Sequence, residues 1–288
     1  MPKKGASWRS EQLTYIAKIL HKRNSSEEFY NLIQSAKNEL LDTEQNSNNQ
    51  LFIKGKERNI NLLIKEFNRA KNLDPKLVES LAKAKSKGYE SWQEAKKKSD
   101  FKVFLPFFEE LVKLRIEEAK QISDQYSPWE TLAQPFEPEL TLKWLNKIFQ
   151  PLKDTLPELI RGINNSKKYH WDLSPESQQN LCSKLLDELG RDKDLVVVGK
   201  SPHPFSITLG PNDYRITTRI VEGEPLSSFL ATAHEWGHSI YEQGLPSQSH
   251  QWFAWPLGQA TSMGIHESQS LFWENRIVKS KSFSKRFF

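Results

Sequence analysis

Apolar residues along most of the chain recur three and four positions apart, the period of helices that bury one face. Within residues 8–48, Ile16, Ile19 and Leu20 share one face and Phe29, Leu32 and Ile33 another, which predicts a helical hairpin ended by a polar break at 46–49. Further helices are predicted over 52–72, 75–99, 101–123 and 139–163. In the third of these, Leu105, Phe108, Leu111, Val112 and Ile116 form the apolar stripe, and Pro106 puts the helix start close by. Ser174-Pro175-Glu176 reads as an N-cap with proline at the first helical position, opening a helix to Leu189 that Gly190 ends. No fixed repeat emerges.

The period changes at Leu195. Leu195-Val196-Val197-Val198 is short and β-branched, and Tyr214 to Ile220 alternates as a half-buried strand does, with Tyr214, Ile216, Thr218 and Ile220 on one face. Gly210-Pro211-Asn212-Asp213 fits a hairpin or a loop between strands. Helical spacing returns from Leu226 to Tyr241, where Pro225 and a serine are able to start the helix, and Gly244 with Pro246 stops it. Gly264 to Asn275 predicts a second, largely buried helix. The expected architecture is mainly α, with a small β-sheet beside the helix that ends at Tyr241. A helical region over 1–190 precedes a second region over 191–288.

At 288 residues and 37% hydrophobic content the chain can bury a substantial core. No apolar run approaches the roughly 20 residues that span a bilayer, and Met1 to Leu13 has no apolar signal segment, so no membrane association and a cytoplasmic location are expected. The single cysteine, Cys182, excludes an internal disulfide framework and reads as a buried helical residue. The net charge of +5 is modest. The basic runs Lys96-Lys97-Lys98 and Lys279 to Arg286 lack interleaved aromatics, so no specific nucleic-acid partner is expected. The nine tryptophans read as core and cleft wall.

The chemistry concentrates in His234-Glu235-Trp236-Gly237-His238. Side chains four apart on a helix stand one turn above another on the same face, so two imidazoles can bind one metal ion while the glutamate projects beside it as a general base. Gly237, which costs the helix about 1 kcal/mol against alanine, leaves room for another segment to approach. A catalytic site of this type takes a third protein ligand. Glu267 on the following helix is one candidate, and Glu242, His250, His266 and Glu274 are others; spacing does not choose among them.

The run His234 to Leu245 resembles the active-site helix of the carboxypeptidase Taq family of metallocarboxypeptidases. Gly264 to Asn275 is similar to that family's H-E-S motif, His203-Pro204-Phe205 to its H-P-F element, and Asp213-Tyr214-Arg215-Ile216-Thr217 to its D-x-R-x-T element. Looser similarity extends to Met1–Ala6 with Arg9 and Gln12, to 92–108, to 137–163 and to 178–190. The resemblance implies His234, His238 and Glu267 as metal ligands and Glu235 as the catalytic base. The ion would be zinc, with cobalt also accepted by such a donor set. It implies Arg215, His203, His266 and Gln269 on the substrate, peptides with a free C-terminus as substrates, and a homodimer. The chain reaches Phe288 before two later family motifs, and reads as a metal-site half of the family. The alternatives are a non-enzymatic helical binding protein and an endopeptidase of the wider H-E-x-x-H group.

Overall fold

The computed structural model describes residues 3–44, 49–163 and 172–288, so the Met1-Pro2 segment, the polar break at 46–48 and His170 lie outside the described residues. The chain forms two compact units, Met1–Pro135 and Phe136–Phe288. No described helix is long and apolar enough to cross a membrane.

The first unit is helical: α1 (Ala6–Asn24), α2 (Glu27–Glu44), α3 (Gln50–Lys71), α4 (Pro75–Lys98), α5 (Leu105–Ile122) and α6 (Pro128–Ala133). Its core is a cluster of Ile33, Leu40, Ile53, Ile60 and Phe67 from α2 and α3. The expected hairpin breaks at Ser25-Ser26, but α1 packs chiefly on α4 and α2 on α3. The buried face of α1 also differs from the expected one: Ile16, Ile19 and Leu20 are 48–52% exposed, whereas Ser10 and Thr14 are buried. The Thr14 hydroxyl donates to the Ser10 carbonyl, which satisfies it in its buried place. In α5 the stripe Leu105, Phe108, Val112 and Ile116 is 37–44% exposed, and the buried positions are Glu118 and Ala119. A δ-methyl of Leu111 instead fills the space over Gly88, where an added Cβ would meet it at 2.8 Å.

The second unit holds α7 (Leu142–Gly162), α8 (Pro175–Glu188), β1 (Val196–Lys200), β2 (Phe205–Gly210), β3 (Asp213–Thr218), α9 (Pro225–Gln243), α10 (Met263–Leu271), a π-helical turn (Phe272–Val278) and α11 (Lys281–Phe287). Ser174 caps α8 as expected by accepting from the Ser177 N–H, and Gly190 ends it at φ 88°. The sheet order is β1-β3-β2, with β1 parallel and β2 antiparallel to β3. β2, which the sequence pattern does not delimit, precedes the expected turn at 210–213 and pairs through Ser206↔Ile216 and Thr208↔Tyr214. The inner face of β3 carries Ile216 and Thr218, both buried, in keeping with the alternation.

α9 lies on that face. Trp236 packs with Leu186, Val196 and Ile216, while Phe229 and Ala233 pack with Leu185 and Val278. Pro225 opens the helix, but no serine caps it: the Ser228 hydroxyl is buried and donates to Gln178 Oε1. Trp236 is the tryptophan the core takes, whereas Trp8, Trp129, Trp144 and Trp255 are 43–70% exposed. The helix after Met263 is not the largely buried one expected. Met263, Ile265, Leu271 and Phe272 are exposed, and of α10 only Ser270 is buried, where the helix crosses Gly237. Cys182 is buried in α8, and burial pushes its thiol up.

Candidate metal centre

His234 and His238 project from one face of α9 toward α10. Gly237, between them, is where the two helices cross. A Cβ there would lie 2.5 Å from Ser270 Cα and 2.8 Å from the Gln269 carbonyl oxygen, so only glycine admits α10 at this height. That approach brings Glu267, one turn before Ser270, opposite both imidazoles. Glu267 Oε1 is 3.6 Å from His234 Nε2, and Oε2 is 3.4 Å from His238 Nε2. The candidate donor atoms all lie within 4.8 Å of one another.

Two donors each about 2.1 Å from a tetrahedral ion stand about 3.4 Å apart, so these separations suit one small divalent cation. The donor chemistry agrees: two imidazole nitrogens and a carboxylate are a set that zinc accepts. Both rings are held from behind. His234 Nδ1 is 3.1 Å from Glu274 Oε2, and Glu274 Oε1 accepts from Lys279 Nζ at 2.8 Å. His238 Nδ1 is 2.7 Å from His266 Nδ1, whose Nε2 is 2.9 Å from Glu242 Oε1. The consistent tautomers run the N–H of each ring toward its carboxylate end, which leaves both Nε2 lone pairs facing Glu267.

Electrostatics favour the same state. Burial, then repulsion from His266 and His234, lowers the His238 pKa to about 4, so its ring stays neutral at ordinary pH. Burial opposes ionisation of Glu274, but hydrogen bonds from Lys279 and His234 outweigh it and hold the carboxyl below its usual range. Glu235 is 6% exposed. Burial, with a smaller contribution from the Glu267 charge, raises its pKa to about 7. A carboxylate poised there can both take and return a proton near neutrality. The site opens on the Glu267 side, where the side chain is 49% exposed against 22% and 15% for His234 and His238.

The remaining expected site residues are placed as follows. His266 and Gln269 lie on α10 beside Glu267, His266 behind His238. Arg215 is on the β3 face away from α9, exposed, with Nε and Nη2 donating to Asp213 at 2.8 and 3.0 Å. His203 is exposed in the β1–β2 loop, its Nδ1 against the Pro204 carbonyl. Neither of these two joins the cluster around the donors. His250 is exposed in the loop after α9, and its Nδ1 accepts from the Trp252 N–H. Glu274 and Glu242, weighed only as alternative ligands in the sequence, emerge as partners of the imidazoles. An acidic residue one helical turn from a ligand was the only signal for Glu242, and Glu274 had none beyond its helix. An open cavity of about 920 Å³ adjoins this cluster, between β2 and the 245–259 segment, with Thr208, Tyr214, Glu242, Phe253 and His266 on its walls.

Residues 1–288 match the family model for carboxypeptidase Taq (M32) metallopeptidase. Thermostable carboxypeptidase 1 of Thermus thermophilus is 31% identical across 100% of this chain and 58% of its own length. Carboxypeptidase 1 of Bacillus subtilis is 37% identical across 69% of this chain and 40% of its own. Among solved structures, the BsuCP crystal structure superposes with a TM-score of 0.87 at 29% identity, covering 100% of this chain and 57% of that one. The chain thus spans a little over half the length of relatives that match all of it.

Proposed function

Because this chain belongs to the carboxypeptidase Taq (M32) metallopeptidase family, we propose that it carries the zinc site and general base of a carboxypeptidase that removes C-terminal residues from peptides. The convergence of His234, His238 and Glu267 within one ion's reach, with Glu235 buried alongside, carries this reading. His234 Nε2, His238 Nε2 and the Glu267 carboxylate would hold the metal, with Glu274 and His266 fixing the two rings. Zinc bound there would supply Lewis acidity, polarising a scissile carbonyl and lowering the pKa of water.

The chain's own residues do the rest. Glu235, whose pKa burial raises to about 7 in the metal-free protein, takes the proton of the attacking water and returns it to the departing amine once the ion is bound. β2 is an edge strand with an unpaired side, and an extended peptide laid along it gains main-chain hydrogen bonds next to the cavity beside His266. Of the four residues that the resemblance sets on the substrate, Gln269 stands on α10 and offers a polar contact in this proposal. Both ring nitrogens of His266 are engaged by His238 and Glu242, Arg215 pairs with Asp213 on the face of β3 away from α9, and His203 lies in the β1–β2 loop, so these three are given no substrate contact here.

The test is hydrolysis of free and C-terminally amidated peptides by zinc-loaded protein, beside Glu235→Gln. Release of single residues from free peptides alone, lost in the variant, is the expected result. Cleavage of the amidated peptide would assign an endopeptidase. One tightly bound zinc without turnover would leave a metal-binding helical protein in place of an enzyme.

A further inference from the structure

We propose that Glu137 is a positioning residue for the metal centre: by clamping the N-terminus of α10 it fixes where the Glu267 carboxylate stands opposite His234 and His238. This rests on the metal reading above. α10 has only nine residues and an exposed outer side, so burial does little to locate it. Its first turn is instead tied to a segment more than a hundred residues earlier. Glu137 accepts from the Ser262 hydroxyl at 2.7 and 2.8 Å through its two oxygens and from the Gly264 N–H at 2.9 Å. The neighbouring Phe136 carbonyl accepts from the Met263 N–H at 2.8 Å. Ser262 completes the set, its hydroxyl accepting from the Ile265 N–H at 3.1 Å and its carbonyl from the His266 N–H at 3.0 Å.

The N–H groups of Met263, Gly264, Ile265 and His266 are therefore all satisfied. A carboxylate is the anion that a helix N-terminus favours. Gly264 is shaped for it, since a Cβ there would lie 3.0 Å from Glu137 Oε2. The geometry locates the consequence. Glu267 is three residues from Gly264 and three from Ser270, where α10 crosses Gly237. One contact fixes the helix laterally; Glu137 fixes it along and about its axis. Released at that end, α10 can turn or slide and carry Glu267 out of register with the imidazoles.

Cobalt substitution reads this directly, because the d–d spectrum reports ligand geometry whether or not a peptide is cleaved. Wild-type protein should bind one cobalt per chain with a spectrum of low coordination number, and zinc should displace it; failure here would sink the metal reading itself. Given that binding, Glu137→Ala should weaken cobalt and zinc binding about 10- to 100-fold, the range seen when outer-sphere partners are removed, and should shift or weaken the d–d bands. Glu137→Gln, which keeps a carbonyl acceptor, should recover most of both. Ile60→Val, a core change in the other unit matched by denaturation midpoint, controls for lost stability. If Glu137→Ala does not fold, Glu137→Asp decides: it keeps the charge but shortens the reach, and should move the bands. Unchanged affinity and spectrum in the folded variant, or a loss no larger than that of Ile60→Val, would overturn the proposal.

Discussion

Substituting alanine at Gly237 sets two physical effects against each other with opposite signs. In an open helix the change stabilises by about 1 kcal/mol, since alanine is the better helix former. Here the new methyl would sit 2.5 Å from Ser270 Cα, 2.8 Å from the Gln269 carbonyl oxygen and 3.1 Å from Ser270 N. All three are backbone atoms, so no side chain can swing aside. Carbon atoms rest about 3.5–4.0 Å apart, so α10 must retreat by about 1 Å. Overpacking of this kind costs about 1–3 kcal/mol, and the upper part of that range applies against backbone. The net expectation is a loss of about 1–2 kcal/mol once propensity is subtracted.

The metal reports the same displacement more sharply. Ligand distances in a metal site tolerate about 0.2 Å, well below the retreat of the helix that carries Glu267. Gly237→Ala should therefore lose at least about tenfold in zinc affinity. Denaturant unfolding of the metal-free protein and zinc competition against a chromophoric chelator measure the two effects separately. A variant more stable by about 1 kcal/mol, with wild-type zinc affinity, would refute the close crossing and the account of the glycine built on it.

Two further outcomes follow from the charges. In metal-free protein the Glu235 carboxyl ionises near 7 when folded and near its ordinary 4.5 when unfolded, so its contribution to stability is lost as pH rises through that window. Glu235→Gln has no charge to bury, and should gain about 2–3 kcal/mol on the wild type between pH 4.5 and 8; a difference between the two that stays flat across urea melts at several pH values would contradict the buried carboxylate. Glu274→Ala frees the ring of His234 and should weaken zinc binding about 10- to 100-fold, Glu274→Gln less. Wild-type affinity in Glu274→Ala by chelator competition would confine Glu274 to its bond with Lys279.

What the sequence revealed, and what it hid, divides along physical lines. Local signals were legible: the Ser174 cap and Gly190 stop of α8, the alternation of β3, and the metal face of α9 are each set within a few residues. The buried faces of α1 and α5 were misread because apolar count was taken for burial. Ser10 and Thr14, the residues that α1 does bury, are polar, and apolar periodicity is blind to them. β2 carries a usable pattern in Phe205, Ile207 and Leu209, but its six residues follow Pro202 and Pro204, and the Gly210–Asp213 turn alone does not delimit the strand before it. Glu137 and Glu274 act through contacts 125 and 40 residues away. Nothing local distinguishes either from a solvated carboxylate.

The two central letters of H-E-x-x-H are conventionally left blank, as if indifferent. In this chain they are the least replaceable positions of the helix. Trp236 is the largest fully buried side chain described, set among Leu186, Val196 and Ile216, and its neighbour Gly237 has backbone where a side chain would be. One position demands the bulkiest residue and the next forbids any. The histidines, by contrast, are partly open and answer to the ion more than to the core. Ligand and scaffold are thus genetically separable along five consecutive residues: changes at 234 or 238 can empty the site and spare the fold, whereas changes at 236 or 237 weaken both.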